Sequence, residues 1–163
     1  MKFTRHSGLY TLETEQQLYA NAEVVWHFFS NPCNLEKLCP NEIICEITSP
    51  SQTDTYPGQI ITYKIKPFRF FKMNWVTEIT RVHVGYYFVD EQRFGPFKMW
   101  HHEHFFENVA GGILMKDKVT FKLPWGFIGR LAFTLVIKRR LEAIFTHRAI
   151  AAGRLFSQKK TVG

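Results

Sequence analysis

TLVIKRRLEAIFTHRAIAAGRLFSQ, residues 134–158, is the stretch that sets the fold. It holds no proline and one glycine, Gly153. Leu141, Ile144, Phe145, Ala149, Ala152, Leu155 and Phe156 recur at the spacing of one helix face. Arg139, Arg140, Glu142, Arg148 and Lys159 fall largely off that stripe. The reading is a single long amphipathic helix. Residues 43–123 have a different rhythm. There, side chains alternate along short runs, as in half-buried strands. A sheet with one apolar face needs a cover, and the C-terminal helix supplies it.

Working outward, strands are expected over 43–48, 59–66 (QIITYKIK), 72–82, 86–93, 99–108 and 113–123. Tyr56-Pro57-Gly58, Gly85, Gly95-Pro96 and Gly111-Gly112 punctuate them. Short glycine-rich turns between successive strands argue for an antiparallel meander rather than βαβ units. Upstream, YTLETEQQLY (10–19) reads as a first strand. Asn21 can cap a helix over 22–29, which Pro32 stops, and a further helical turn over 35–38 ends before Pro40. The expected class is therefore α+β: a curved antiparallel sheet wrapped around a long C-terminal helix, with two short helices after the first strand. No repeat or linker divides the 163 residues, so one domain over 1–163 is expected.

Composition narrows the function. Aromatic residues make up 16% of the chain, 16 of them Phe, enough to build a large aromatic core or to line a cavity. MKFTRH at the start does not run into an apolar signal-peptide region. The longest apolar run, 125–137, is interrupted by Arg130 and falls short of the ~20 residues a membrane span requires. Cys33, Cys39 and Cys45 lack CxxC spacing and read as reduced thiols of a cytoplasmic protein. From residue 126 onward there are eight cations and one anion, which is the whole net charge of +7. Such a helix could face an acidic ligand, a membrane surface or nucleic acid, or simply solvent. A nucleic-acid surface would interleave aromatics with the basic residues. Here most aromatics sit on strands, so no nucleic-acid partner is expected, whereas a transient membrane-surface contact remains open. WGFIG (125–129) packs the start of the helix on the simplest reading; gating a pocket mouth or touching a membrane is the functional alternative.

Several chemistries lack their signatures. The serines have no nucleophile-elbow context, and there is no Walker loop and no GxGxxG. His102 and His104 invite a metal reading, but the spacings to Gly95 and Glu107 do not fit a cupin site, so no metal and no cofactor is expected. What remains is a polar group on strands. Asp90 and Gln92 share one strand face, and Trp100, His102, His104 and Phe106 share a face of the next. With an odd-numbered hairpin loop, Asp90 lies opposite His102 and Gln92 opposite Trp100. These residues, with Phe88, Phe145 and Arg148, are the expected ligand-binding set, a few polar groups converging in an apolar cavity.

The local sequence also resembles a known superfamily. The residues that carry it are VVWHFFSNP (24–32), DEQRFGPF (90–97), WHHEHFF (100–106), Leu123-Pro124 with Gly129, and LEAIFTHR (141–148). They are similar to SRPBCC proteins, which include START lipid-transfer domains, birch-pollen-allergen-like proteins and bacterial polyketide cyclases, and among these to a bacterial branch of small ligand-binding proteins. The resemblance implies a helix-grip fold with an internal pocket and no particular reaction. A non-catalytic binder of a lipid, isoprenoid or polyketide-like molecule is the leading expectation. The alternative is a cyclase or dehydratase with His102, His104 or Asp90 as general acid or base.

Overall fold

The chain opens with a hairpin that the sequence reading did not include. The computed structural model describes residues 1–40, 45–49, 54–68 and 71–157. β1 (Lys2–His6) and β2 (Leu9–Leu18) pair antiparallel across Ser7-Gly8, whose φ angles are 49° and 80°. Two residues at positive φ are what a tight hairpin turn of this hand demands. β1 is largely exposed, so it carried little of the alternating apolar signal.

Helix α1 (Ala22–Ser30) follows, with the Asn21 side chain accepting the Glu23 N–H at 2.8 Å. A 3-10 segment, Pro32–Leu38, comes next. The remaining strands are β3 (Cys45–Ile47), β4 (Ile60–Phe68), β5 (Phe71–His83), β6 (Tyr87–Phe94), β7 (Met99–Val109) and β8 (Gly112–Lys122). The expected start of β3 at Ile43 and the expected helix end at Gln158 lie outside the described residues, as does Lys159. Among the described residues the eight strands form one antiparallel sheet in the order β1-β2-β8-β7-β6-β5-β4-β3. The meander therefore returns on itself, with β8 seated against β2 in register from Tyr10↔Phe121 to Leu18↔Ile113.

The helical end begins earlier than expected. α2 (Gly126–Ala132) runs through a π-helical turn, Phe133–Ile137, into α3 (Lys138–Leu155). Leu141, Phe145, Ala152 and Phe156 are buried against the sheet, each large side chain contributing roughly 1.5–3 kcal/mol of burial. Leu155, expected on that stripe, is instead half exposed, at the last turn of the helix. The core has two lobes. One gathers Trp26, Phe29, Phe88, Phe106, Ile113 and Phe156; the other gathers Tyr10, Trp75, Trp100, Phe121, Leu141 and Phe145. Cys39 is disulfide-bonded, which corrects the expectation that all three cysteines are reduced. Among the described residues no helix is long and apolar enough to cross a membrane.

Candidate functional site

Between the two lobes of the core lies a cluster of buried charges. The sheet order puts β6, β7 and β8 side by side, and the register sets Asp90 opposite His102, and His104 opposite Asp117. On β7 the alternation turns Trp100, His102, His104 and Phe106 inward together. On β8 it turns Ile113, Met115, Asp117, Val119 and Phe121 inward. Arg148 reaches the same point from α3, its side chain only 13% exposed.

Each imidazole is held between both carboxylates. His104 Nε2 is 2.7 Å from Asp90 and its Nδ1 is 3.0 Å from Asp117. His102 Nε2 is 3.0 Å from Asp117, and its Nδ1 is 3.5 Å from Asp90. The two rings lie 3.7 Å apart, centre to centre. Arg148 Nη2 is 3.5 Å from Asp117, and its guanidinium lies 5.1 Å over the Phe29 ring. Two imidazoliums this close in a dry site would repel each other. Burial lowers the pKa of His102, and the neighbouring His104 lowers it further. Burial would lower that of His104 too, but its hydrogen bonds to Asp117 and Asp90 carry it upward. Burial works to raise both carboxyls. Arg148 and the two histidines overcome this at Asp117, which lies well below its usual range, and the histidines do so at Asp90 with less help from Arg148.

These directions describe one proton state: two carboxylates, one guanidinium, one imidazolium on His104 and a neutral His102. The charges sum to zero, as a buried group requires. In that state Nε2–H of His102 donates to Asp117, and Nδ1 is left as a lone pair facing Asp90. Next to it, the Tyr63 hydroxyl meets the Thr77 hydroxyl at 2.5 Å, and Trp75 Nε1 donates to the same oxygen at 2.9 Å. Burial and then the charge of Asp90 push the Tyr63 phenol far above its ordinary range.

The other expected residues divide around this cluster. Phe88 stacks on His104 at 4.1 Å, and Phe145 and Trp100 meet His102 edge-on at 5.8 and 6.2 Å. Phe106 packs with Trp26 and Phe29 in the neighbouring lobe. Gln92 does not join. Its Nε2 donates to Phe97 O at 2.7 Å and its Oε1 accepts from Phe97 N–H at 3.2 Å. It clamps the β6–β7 turn so closely that a Cβ on Gly95 would come within 2.4 Å of its amide oxygen. Asp117 was missed, although its signal was present: it is the one charge on the apolar side of β8.

The cluster can also be read as a metal donor set. Asp90, His102 and His104 each offer a ligand atom within 4.8 Å of the other two. The charges, however, already cancel without a cation. A bound dication would need both histidines neutral and would leave the buried site with a surplus positive charge from Arg148.

A cleft opens beside Arg148 between β2, β8 and α3. Gln16, Phe29, Met115, Asp117, Phe145 and Ala152 are among the residues that line it. Its volume is about 30 Å³, room for about one or two water molecules. Of the expected ligand-binding set, Phe145 and Arg148 line this cleft. Arg148 Nε is buried with no hydrogen-bond partner among the described residues.

No family model and no curated protein matches the chain. Solved structures do. Protein CV1439 from Chromobacterium violaceum superposes with a TM-score of 0.70 at 13% identity, over 90% of this chain and 96% of that one. The di-domain ARO/CYC BexL from the BE-7585A biosynthetic pathway gives 0.69 at 12% identity, over 92% of this chain and 50% of that one. Ara h 8.0201 gives 0.57 at 15% identity, over 89% and 98%. At such identities the likeness is one of fold.

Proposed function

We propose that this chain, built on the helix-grip fold of the SRPBCC proteins, binds a hydrophobic small molecule between the sheet and α3, and that Arg148 holds the polar end. The observation that carries this reading is Arg148 Nε, buried without a hydrogen-bond partner among the described residues, on a side chain that lines a cleft of mixed polar and apolar character. A buried donor without an acceptor costs roughly 1–3 kcal/mol. A ligand carboxylate or carbonyl would remove that cost, while Phe29, Met115, Phe145 and Ala152 face its apolar body. Lipids, isoprenoids and polyketide-like molecules with an oxygen end fit this description. The cleft is smaller than such a ligand, so binding requires α3 to move outward. The π-helical turn ahead of α3 is a natural place for that movement. Residues 1–163 would act as one ligand-binding domain without a cofactor. Contact with a membrane surface suits a carrier of such ligands.

Native mass spectrometry of the purified protein tests the reading. The expected result is a bound small molecule whose affinity falls about tenfold or more in Arg148→Met. No bound mass, and no uptake of a fatty acid or aromatic acid offered as probe, would sink it.

A second reading is acid–base catalysis of the cyclase or dehydratase kind. It is favoured by two adjacent histidines in opposite proton states, with a lone pair on His102 Nδ1 and a proton on His104. His102→Phe separates the two. Unchanged binding with no turnover in either protein supports the carrier, whose ligand meets Arg148 and not His102, and intact binding with collapsed turnover of the bound molecule supports the enzyme.

A further inference from the structure

The segment that leads into α3 has two opposed faces. Gly129 is buried, and Phe133 and Ile137 pack on the core; these residues follow one another at intervals of four. Phe133 meets Tyr10, Phe3 and Phe121, with ring centres 4.0, 6.0 and 6.1 Å apart. A Cβ on Gly129 would come within 2.2 Å of Pro124 O, so the inner face is pressed hard against Leu123-Pro124, the link that follows β8. Two residues further round the helix, Phe127, Leu131 and Leu135 form the outer stripe, 70%, 53% and 60% exposed. Ile128, at 66%, and Val136, at 44%, widen it. Trp125 stands at its tip, 76% exposed.

An amphipathic helix ordinarily turns such a stripe inward. Here the inner face is already occupied, and the apolar surplus faces out. Trp125 has φ of 62°, a left-handed conformation that a bulky side chain adopts at a cost, and Gly126 follows at 48°. The backbone is thus strained at the very residue that carries the indole into solvent.

The charge around the stripe identifies its partner. Residues 122–140 contain five Lys and Arg and no Asp or Glu. Arg139 is exposed one helical turn beyond Leu135, at the end of the same stripe. Exposed Trp, Phe, Ile and Leu bordered by cations, on a helix lying flat on a domain, match the interface of an anionic bilayer. A protein partner of equal apolar character would not call for a segment with five cations and no anion. We propose that residues 125–139 form a docking face for anionic lipid membranes, with Trp125, Ile128, Leu131 and Leu135 entering the headgroup boundary and Arg139 engaging lipid phosphate. The docking face does not depend on the nature of the internal ligand, or on there being one.

The test is co-sedimentation with vesicles of phosphatidylcholine alone and of phosphatidylcholine mixed with phosphatidylglycerol. Wild type is expected to bind the mixed vesicles, weakly or not at all the neutral ones, and to be released by salt. Trp125→Ser/Ile128→Ser should weaken that binding by about tenfold or more, since each bulky side chain withdrawn removes apolar burial at the interface. Arg139→Glu, far from the core, should weaken binding to the mixed vesicles alone. No binding of wild type to mixed vesicles overturns the proposal, as does equal binding by the double variant. So does a wild-type dimer, seen by analytical ultracentrifugation, that the double variant breaks in the absence of any vesicle binding.

Discussion

The cluster at Asp90, His102, His104, Asp117 and Arg148 and the stripe at Trp125, Ile128, Leu131 and Leu135 are opposite exceptions to one rule. The first puts charge where the chain is driest; the second puts apolar surface where it is wettest. Their energetics differ accordingly. Every charge in the cluster depends on its neighbours, so removing one leaves the others buried and unmatched. Each residue of the stripe stands nearly alone in water, so removing it should hardly affect folding. Polar residues inside and apolar residues outside are both poor choices for stability alone, and both point toward something that binds.

The strongest blow to this contrast is Asp117→Ala. It strips both histidines and Arg148 of a shared partner, and the expected loss is about 3–5 kcal/mol of folding stability in urea unfolding. A loss near zero would mean that solvent reaches the cluster. His102→Phe should cost less, roughly 1–3 kcal/mol, because His104 and Arg148 still hold Asp117.

Stability against pH sharpens the same point. Both histidines start from 6.5 in the unfolded chain. His104 is raised, so its contribution is present below 6.5 and fades as the pH climbs through its folded value. His102 is depressed, so its contribution is present above 6.5 and fades as the pH falls toward its folded value. The folded pair keeps one proton while the unfolded pair goes from two to none. Its contribution should therefore peak near 6.5 and decline on both sides. His104→Gln should remove the alkaline limb. A further decline begins below about 3.8, where the unfolded chain takes up protons that the folded Asp90 and Asp117 do not, and it runs on until the pH reaches their lower folded values. Denaturant midpoints across a pH series check all three limbs. The charge balance also predicts that elemental analysis finds no stoichiometric metal and that a chelator leaves the unfolding midpoint unchanged. The smallest effect should come from Trp125→Ser, within about 0.5 kcal/mol of wild type, measured by the same unfolding curves.

Much of the architecture was legible because it rests on periodicity. The β4–β8 meander and the long helix announce themselves by alternation and by the stripe at Leu141, Phe145, Ala152 and Phe156. β1 was not legible, because an exposed edge strand carries no burial pattern. The start of the helical segment was misplaced because its outward face is as apolar as its inward one, which hides the 3.6-residue rhythm. In the site, the pairing of Asp90 with His102 followed from counting residues across a turn. Gln92 lies one residue past the last β6–β7 pair, Glu91↔His101, and spends its amide on the backbone of Phe97, a choice made by turn geometry and invisible to strand parity. Asp117 needed no new principle, only the question of why one charge sits among Ile113, Met115, Val119 and Phe121.

The seating of β8 against β2 has a consequence for how the molecule assembles. A chain emerging from the ribosome makes β4 to β8 as local hairpins, each closing a short loop. The β2–β8 pair joins distant parts of the sequence, so its loop-closure entropy is large and its formation slow. Asp117 lies on β8, and Arg148 arrives later still on α3. His102 and His104 are therefore made before Asp117 and the Arg148 that neutralises it are in place. The histidines can stay hydrated only while that side of the sheet is open, so the late β2–β8 pairing and the docking of α3 are also the steps that seal the charges in.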